Sequence, residues 1–248
     1  MIIIYILRGL LRLVLLLAGS LKVMGRDNVP ERGPYILVVN HMSKADPPIL
    51  FLALPPMRLR FFAGEKWESH RLFGPIMKVV GVIYINRGEV DRRALREAME
   101  ALRDGCIFGL APEGTRSRSG QLLEAKDGAA YLASRTNVPI VPVGVTNTDV
   151  VGANVKRLKR TQMAVNIGKP FKLPELGHRA KARELEAYTH LIMVQIAHLL
   201  PERYHGYYAD SPALAALQRG EDPWPYCLQV AGVAAEAEER APAAGRAD

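Results

Sequence analysis

His41 and Asp46 are the pair in this chain best suited to proton transfer. Residues 35–40, Tyr-Ile-Leu-Val-Val-Asn, form an apolar run of strand length, and His41 follows at once. Met42, Ser43, Lys44 and Ala45 separate it from Asp46. An imidazole at a strand end can take a proton from an attacking hydroxyl near neutral pH. A carboxylate across the turn can hold the other ring nitrogen as N–H, fix the tautomer and stabilise the imidazolium that forms. In that arrangement the substrate supplies the nucleophilic hydroxyl. A second role for Asp46 competes with this one, because Asp followed by Pro47 and Pro48 is a good helix N-cap and needs no chemistry.

Three further segments carry chemical potential. Residues 110–120, Leu-Ala-Pro-Glu-Gly-Thr-Arg-Ser-Arg-Ser-Gly, make a polar loop after an apolar strand. Its main-chain N–H groups, hydroxyls and arginines could together hold an anion, with arginine as a forked donor to phosphate. The same composition also suits a solvated turn. No Gly-x4-Gly-Lys-Ser/Thr spacing occurs, so the loop is not a nucleotide P-loop. Arg87 closes the apolar segment 81–86, where a charged side chain either reaches a cleft mouth or caps a sheet edge. Residues 138–143, Val-Pro-Ile-Val-Pro-Val, read as a strand that lines an acyl chain or as plain core.

These residues need a scaffold, and the periodicity supplies one. Beside the runs at 35–40 and 81–86, strands are predicted at 60–63, 106–111, 139–145 and 163–167. Helices are predicted from Pro47 to about Leu54, and at 90–103, 128–134 and 182–200. Strands separated by helices of this length indicate an α/β fold, a single domain with a mixed sheet flanked by helices. With 248 residues and 49% hydrophobic side chains, the chain can build one sizeable core. The expected organisation is a membrane-associating helix at 1–20 and the domain at 21–200. A Tyr- and Trp-containing extension follows at 201–230, and an Ala- and Glu-rich disordered tail at 231–248.

The first eighteen residues are nearly all apolar, interrupted by Arg8 and Arg12, which share a helix face. As a spanning helix, the segment would carry two central arginines at a cost of roughly 5–7 kcal/mol. As a signal peptide, its basic residues come too late. The favoured arrangement is an interfacial helix, its arginines toward phosphates and its aliphatic side in the acyl boundary. The net charge of +8 suits a polyanion, either nucleic acid or an anionic bilayer. The apolar N-terminus, and the lack of a recognition element interleaved with basic residues, favour the bilayer. Cys106 and Cys227 match no metal spacing and read as two reduced thiols.

Taken in order, these segments resemble the glycerolipid acyltransferase family, whose best-known branch is the 1-acylglycerol-3-phosphate O-acyltransferases. Asn40-His41 with Asp46 resembles the family's first block. Ile85-Asn86-Arg87 resembles its second, residues 112–117 (Pro-Glu-Gly-Thr-Arg-Ser) its third, and residues 138–143 its fourth. Residues 126–130 also match the stretch between the last two, and the match covers about residues 22–170. The resemblance implies His41 as general base and Asp46 as its orienting partner. It implies an acceptor phosphate site from Arg87, Glu113, Gly114, Thr115 and Arg116, with Lys66 as a possible addition. It implies no metal, no cofactor and no acyl-enzyme, the donor substrate being acyl-CoA or acyl-carrier protein. The acceptor would be a lysophospholipid, 1-acyl-glycerol-3-phosphate, giving phosphatidate; glycerol-3-phosphate or another lysophospholipid is the alternative. The partner would be the lipid bilayer, at the cytoplasmic face of the inner membrane, and not nucleic acid. A catalytically inactive basic lipid- or nucleic-acid-binding protein is the alternative from another class. Asn86 stands where many members have Asp and Ala111 where many have Phe, which leaves acceptor identity open.

Overall fold

The computed structural model describes residues 2–71, 74, 75, 77, 81–85 and 91–233. The chain opens with α1 (Ile2–Ala18), which passes directly into β1 (Gly19–Met24). There follow β2 (Tyr35–Val39), α2 (Asp46–Ala53), β3 (Leu59–Gly64), β4 (Val82–Ile85) and α3 (Arg92–Arg103). Then come β5 (Ile107–Leu110), α4 (Gly128–Thr136), β6 (Ile140–Thr146), α5 (Val151–Lys156) and β7 (Thr161–Ile167). The chain closes with α6 (Ala182–His198), α7 (Pro212–Gln218) and α8 (Trp224–Val230).

Among the described residues seven strands form one sheet, in the order β1-β7-β6-β2-β5-β3-β4. Pairing is parallel except between β6 and β7, so β1 and β7 run against the other five. This is the mixed sheet, flanked by helices, that the alternating pattern predicts. Strand β2 lies at the centre and all five of its residues are buried. Its side chains alternate between two layers, as a strand's period of two requires. Ile36 and Val38 join Phe108, Ile140 and the apolar faces of α3, α4 and α6. Tyr35, Leu37 and Val39 join Val141, Val143, Val165 and α2 on the other side.

Local chemistry sets the element ends. Asp91 caps α3, its Oδ1 accepting the Ala94 N–H at 2.9 Å, a contact worth about 1 kcal/mol. Gly19 lets α1 turn straight into the sheet, because a Cβ there would lie 1.8 Å from the Thr161 carbonyl oxygen. Strand β1 is absent from the sequence-based expectation. It is a six-residue edge strand whose polar and apolar residues alternate too briefly to stand out.

The N-terminal segment is a helix, but its arginines separate. Arg8 is buried, and its guanidinium donates to the carbonyls of Phe51 (2.6 Å) and Leu52 (3.2 Å) at the C-terminal end of α2. There it meets the negative end of the helix dipole and stacks over the Phe51 ring. Arg12 is exposed. The expectation that both arginines face phosphates is therefore corrected for Arg8. Ile4, Leu7, Arg8, Leu11, Leu15 and Ala18 form the inward side of α1. Tyr5, Ile6, Leu10, Leu13, Val14, Leu16 and Leu17 are exposed. No helix among the described residues is long and apolar enough to cross a membrane.

The extension after residue 200 packs on the domain. Tyr204, Tyr208, Ala213, Leu214 and Cys227 are buried in the same cluster as α6. Cys106 and Cys227 are both free thiols. Of the tail at 231–248, residues 234–248 lie outside the described residues.

Candidate functional site

Strand β2 delivers Asn40 and His41 to the sheet edge formed by the C-terminal ends of β2, β5 and β6. Asn40 is buried, and it locks that strand end to β6. Its amide donates to the Val145 carbonyl at 2.9 Å, and its Oδ1 accepts the Val145 N–H at 2.7 Å. His41 follows, with its side chain 21% exposed.

His41 Nδ1–H donates to Asp46 Oδ2 at 2.7 Å. Asp46 makes no forward cap to α2. Instead its carboxylate folds back over the 41–46 loop, and Oδ2 also accepts the N–H groups of Met42 and Ser43, each at 2.8 Å. The Thr148 hydroxyl donates to Oδ1. Asp46 is 2% exposed and Thr148 is fully buried. The carboxylate is thus held on both oxygens, and it keeps the His41 Nδ1 protonated. The ring nitrogen left for proton transfer is Nε2.

The loop after β5 packs beneath this pair. Glu113 is 2% exposed. Its Oε1 accepts the His41 N–H at 2.8 Å and its Oε2 the Leu123 N–H at 3.0 Å. Burial pushes its carboxyl pKa up, and those two backbone donors oppose the shift. The His41 carbonyl accepts the Ser117 N–H at 2.8 Å. The histidine backbone is therefore clasped between Glu113 and Ser117.

The sequence-predicted acceptor residues divide. Gly114, Thr115 and Arg116 are exposed, between the two residues that contact the His41 backbone. Gly114 has φ +67°, and a Cβ there would press on the Lys126 side chain at 3.2 Å. Glu113 contacts the protein's own backbone. Lys66 belongs to the 3-10 turn Glu65–Trp67 that follows β3 at the same sheet edge. Its side chain, and all of Arg87, lie outside the described residues.

Thr148 escaped the sequence reading, because 102 positions separate it from Asp46 and only the β2–β6 pairing brings them together. Its one signal is the polar run 146–149, Thr-Asn-Thr-Asp, directly after an apolar strand. The extension also reaches this edge. The Leu122 N–H donates to the Tyr204 carbonyl at 2.8 Å, and the Ala125 N–H to the Tyr208 hydroxyl at 3.1 Å. The Tyr204 hydroxyl accepts the Asn147 N–H at 3.1 Å. Residues 204–208 thereby hold both the loop below Glu113 and the segment that carries Thr148.

A family model described as Acyltransferase matches residues 20–146, half of the chain. The chain is similar to the 1-acyl-sn-glycerol-3-phosphate acyltransferase of Borreliella burgdorferi, with 30% identity over 146 residues. That stretch is 58% of this chain and 58% of that protein, so the chain spans little more than half the relative's length. The protein of the same name from Bacillus subtilis is 23% identical over 189 residues, 76% of this chain and 92% of that one. Among solved structures, the 1-acyl-sn-glycerophosphate (LPA) acyltransferase PlsC from Thermotoga maritima superposes with a TM-score of 0.63 at 25% identity. The superposition covers 79% of this chain and 78% of that one.

Proposed function

The chain belongs to the Acyltransferase family, and on that premise we propose that it transfers a fatty acyl group from a thioester to the free hydroxyl of 1-acyl-glycerol-3-phosphate, giving phosphatidate. The observation that carries this proposal is the His41–Asp46 pair. The imidazole is 2.7 Å from a carboxylate whose oxygens are all engaged, and it stands partly exposed at the mouth of the sheet. The names of the relatives supply the acceptor class.

In the proposed reaction the acceptor hydroxyl gives its proton to His41 Nε2 as its oxygen attacks the thioester carbonyl. Asp46 stabilises the imidazolium. The tetrahedral intermediate collapses, the C–S bond breaks, and the departing thiolate takes the proton back from His41. Acceptor phosphate is assigned to Gly114, Thr115 and Arg116, with Arg87 and Lys66 as further donors, because forked and ammonium donors suit a phosphomonoester. Glu113 is assigned to holding His41 rather than to phosphate, since a carboxylate repels an anion. The donor, acyl-CoA or acyl-carrier protein, enters as a substrate, and no metal or cofactor takes part.

The acceptor is a bilayer lipid, and the exposed aliphatic side of α1 suits an interfacial helix. We assign the protein to a membrane surface, the cytoplasmic face of the inner membrane. The test is thiol release from acyl-CoA or acyl-carrier protein with 1-acyl-glycerol-3-phosphate, beside glycerol-3-phosphate and other lysophospholipids. His41→Ala should lower kcat by about a hundredfold to ten-thousandfold. Release that survives this substitution sinks the mechanism, and release only with another acceptor reassigns the substrate.

A further inference from the structure

We propose that the turn between α5 and β7 is a second membrane-docking element, which inserts Leu158 into an anionic bilayer between flanking cations. The inference rests on the reading that the acceptor is a membrane lipid. Residues 155–160 read Val-Lys-Arg-Leu-Lys-Arg. Leu158 is 96% exposed and has φ +54°, a left-handed conformation that is strained for a side chain with a branched body. The turn is held by its own backbone. Leu158 N–H donates to the Val155 carbonyl at 3.1 Å, and Arg157 and Lys159 N–H donate to the Asn154 carbonyl at 3.0 and 2.8 Å. Lys156, Arg157, Lys159 and Arg160 are all exposed around it, with Asp149 the acidic residue of the 149–160 segment. A lone surface leucine is ordinary. A leucine held outward by strained backbone and flanked in sequence by four exposed cations matches what an anionic bilayer takes: charge at the phosphates, an aliphatic tip at the acyl boundary.

Its position supports the same occupant. Thr161 pairs with Gly19, so the turn abuts the C-terminal end of α1. Arg160 ties the two together by donating to the Gly19 carbonyl at 3.0 Å. Leu16 and Leu17 of α1, and Val150, Val155 and Leu158 in and around α5 and the turn, are exposed apolar side chains on these two adjoining elements. Because β7 runs against β6, its first residue lies at the sheet edge where β2 releases His41. A bilayer seated on the turn and α1 would lie against the edge that carries the site.

The full chain would be floated with phosphatidylcholine vesicles and with vesicles containing about one quarter phosphatidylglycerol. Neutralising Lys156, Arg157 and Lys159 together to Gln should cut partitioning onto the anionic vesicles about a hundredfold, at roughly fivefold per cation. Binding to phosphatidylcholine alone should not change. Leu158→Gly should cut binding to the anionic vesicles about tenfold. Since glycine relieves the left-handed strain, its thermal midpoint should hold or rise, which separates the loss from misfolding. Wild-type partitioning of both variants overturns the proposal. So does weakened binding to a duplex DNA oligonucleotide with vesicle binding intact, which would make the turn a nucleic-acid contact. Thiol release with detergent-dispersed acceptor reads the proposed reaction separately: both variants should keep it, and its failure in the wild type would leave the flotation result standing.

Discussion

Asp46 shows how one side chain comes to be committed to a single geometry. It accepts from the His41 ring, from two backbone N–H groups and from the Thr148 hydroxyl, all in a nearly solvent-free setting. The Thr148 hydroxyl fixes the carboxylate's rotation, and through it the plane of the imidazole, so Thr148 is a positioning residue. Thr148→Val keeps the shape and removes the donor. It leaves Oδ1 buried without its partner, which costs about 1–3 kcal/mol of stability. Under the proposed mechanism it should also lower kcat about tenfold, because a slightly misplaced base loses effective molarity. The KM for the acceptor should stay near wild type, and Thr148→Ser should restore most of kcat. Steady-state kinetics with urea unfolding of the three proteins checks this. Stability lost without any change in kcat would leave Thr148 a packing residue only.

At the scale of elements, the extension is held to the domain by a buried pair between α6 and α7. The Ser211 hydroxyl and His190 Nε2 share a hydrogen bond of 2.7 Å, and the Ser211 oxygen accepts the Leu214 N–H as the cap of α7. Burial lowers the His190 pKa from its ordinary value of 6.5. On acidification the unfolded chain takes up this proton first. Stability is therefore full above about pH 6.5 and falls as pH drops toward the lower folded value, by up to about 1.4 kcal/mol per pH unit. Urea midpoints between pH 7.5 and 5.5 (about the histidine range) should show the decline, and His190→Asn should flatten it. An equal slope in the variant would place the sensitive group elsewhere. The contrast between this region and β2 explains what the sequence disclosed. Residues 35–39 are apolar at every position because β2 is buried on both faces, so the strand could be read without partners. His41, Asp46 and the 112–117 loop follow strands of that kind, and they stood out as polar residues released at strand ends. Helices α7 and α8 are seven residues each, too short for a helical period to register. Ser211-Pro212 is nonetheless a legible start signal for the first of them. Thr148 and the hold of Tyr204 and Tyr208 depend on sheet order, which local periodicity does not encode.

At the scale of the whole molecule, α1 has two sides with different work. Its inner side ends in Arg8, which satisfies the last carbonyls of α2, and in Leu15, which packs against the second core cluster. Under the proposed interfacial role of α1, deleting residues 1–18 would release the protein from membranes, but it would also strip α2 of that cap, so a truncation confounds docking with folding. The outer side can be altered alone, because Leu10, Leu13 and Leu17 are each more than half exposed. Changing all three to Gln should leave the thermal midpoint within a few degrees, since exposed positions away from packing shift stability little. Each leucine gives up about 1.5–3 kcal/mol of burial if it fully enters the acyl boundary. Even partial insertion should cost the variant about a hundredfold in partitioning onto phosphatidylcholine vesicles. That loss should persist in high salt, because apolar insertion is not screened, whereas any contribution from the basic turn fades within a Debye length as salt rises. Detergent-dispersed acceptor should still be acylated by the variant at near wild-type rate. Unchanged partitioning onto neutral vesicles would remove α1 as the anchor, and it would leave the turn at Leu158 and the surface it shares with the site edge to account for docking alone.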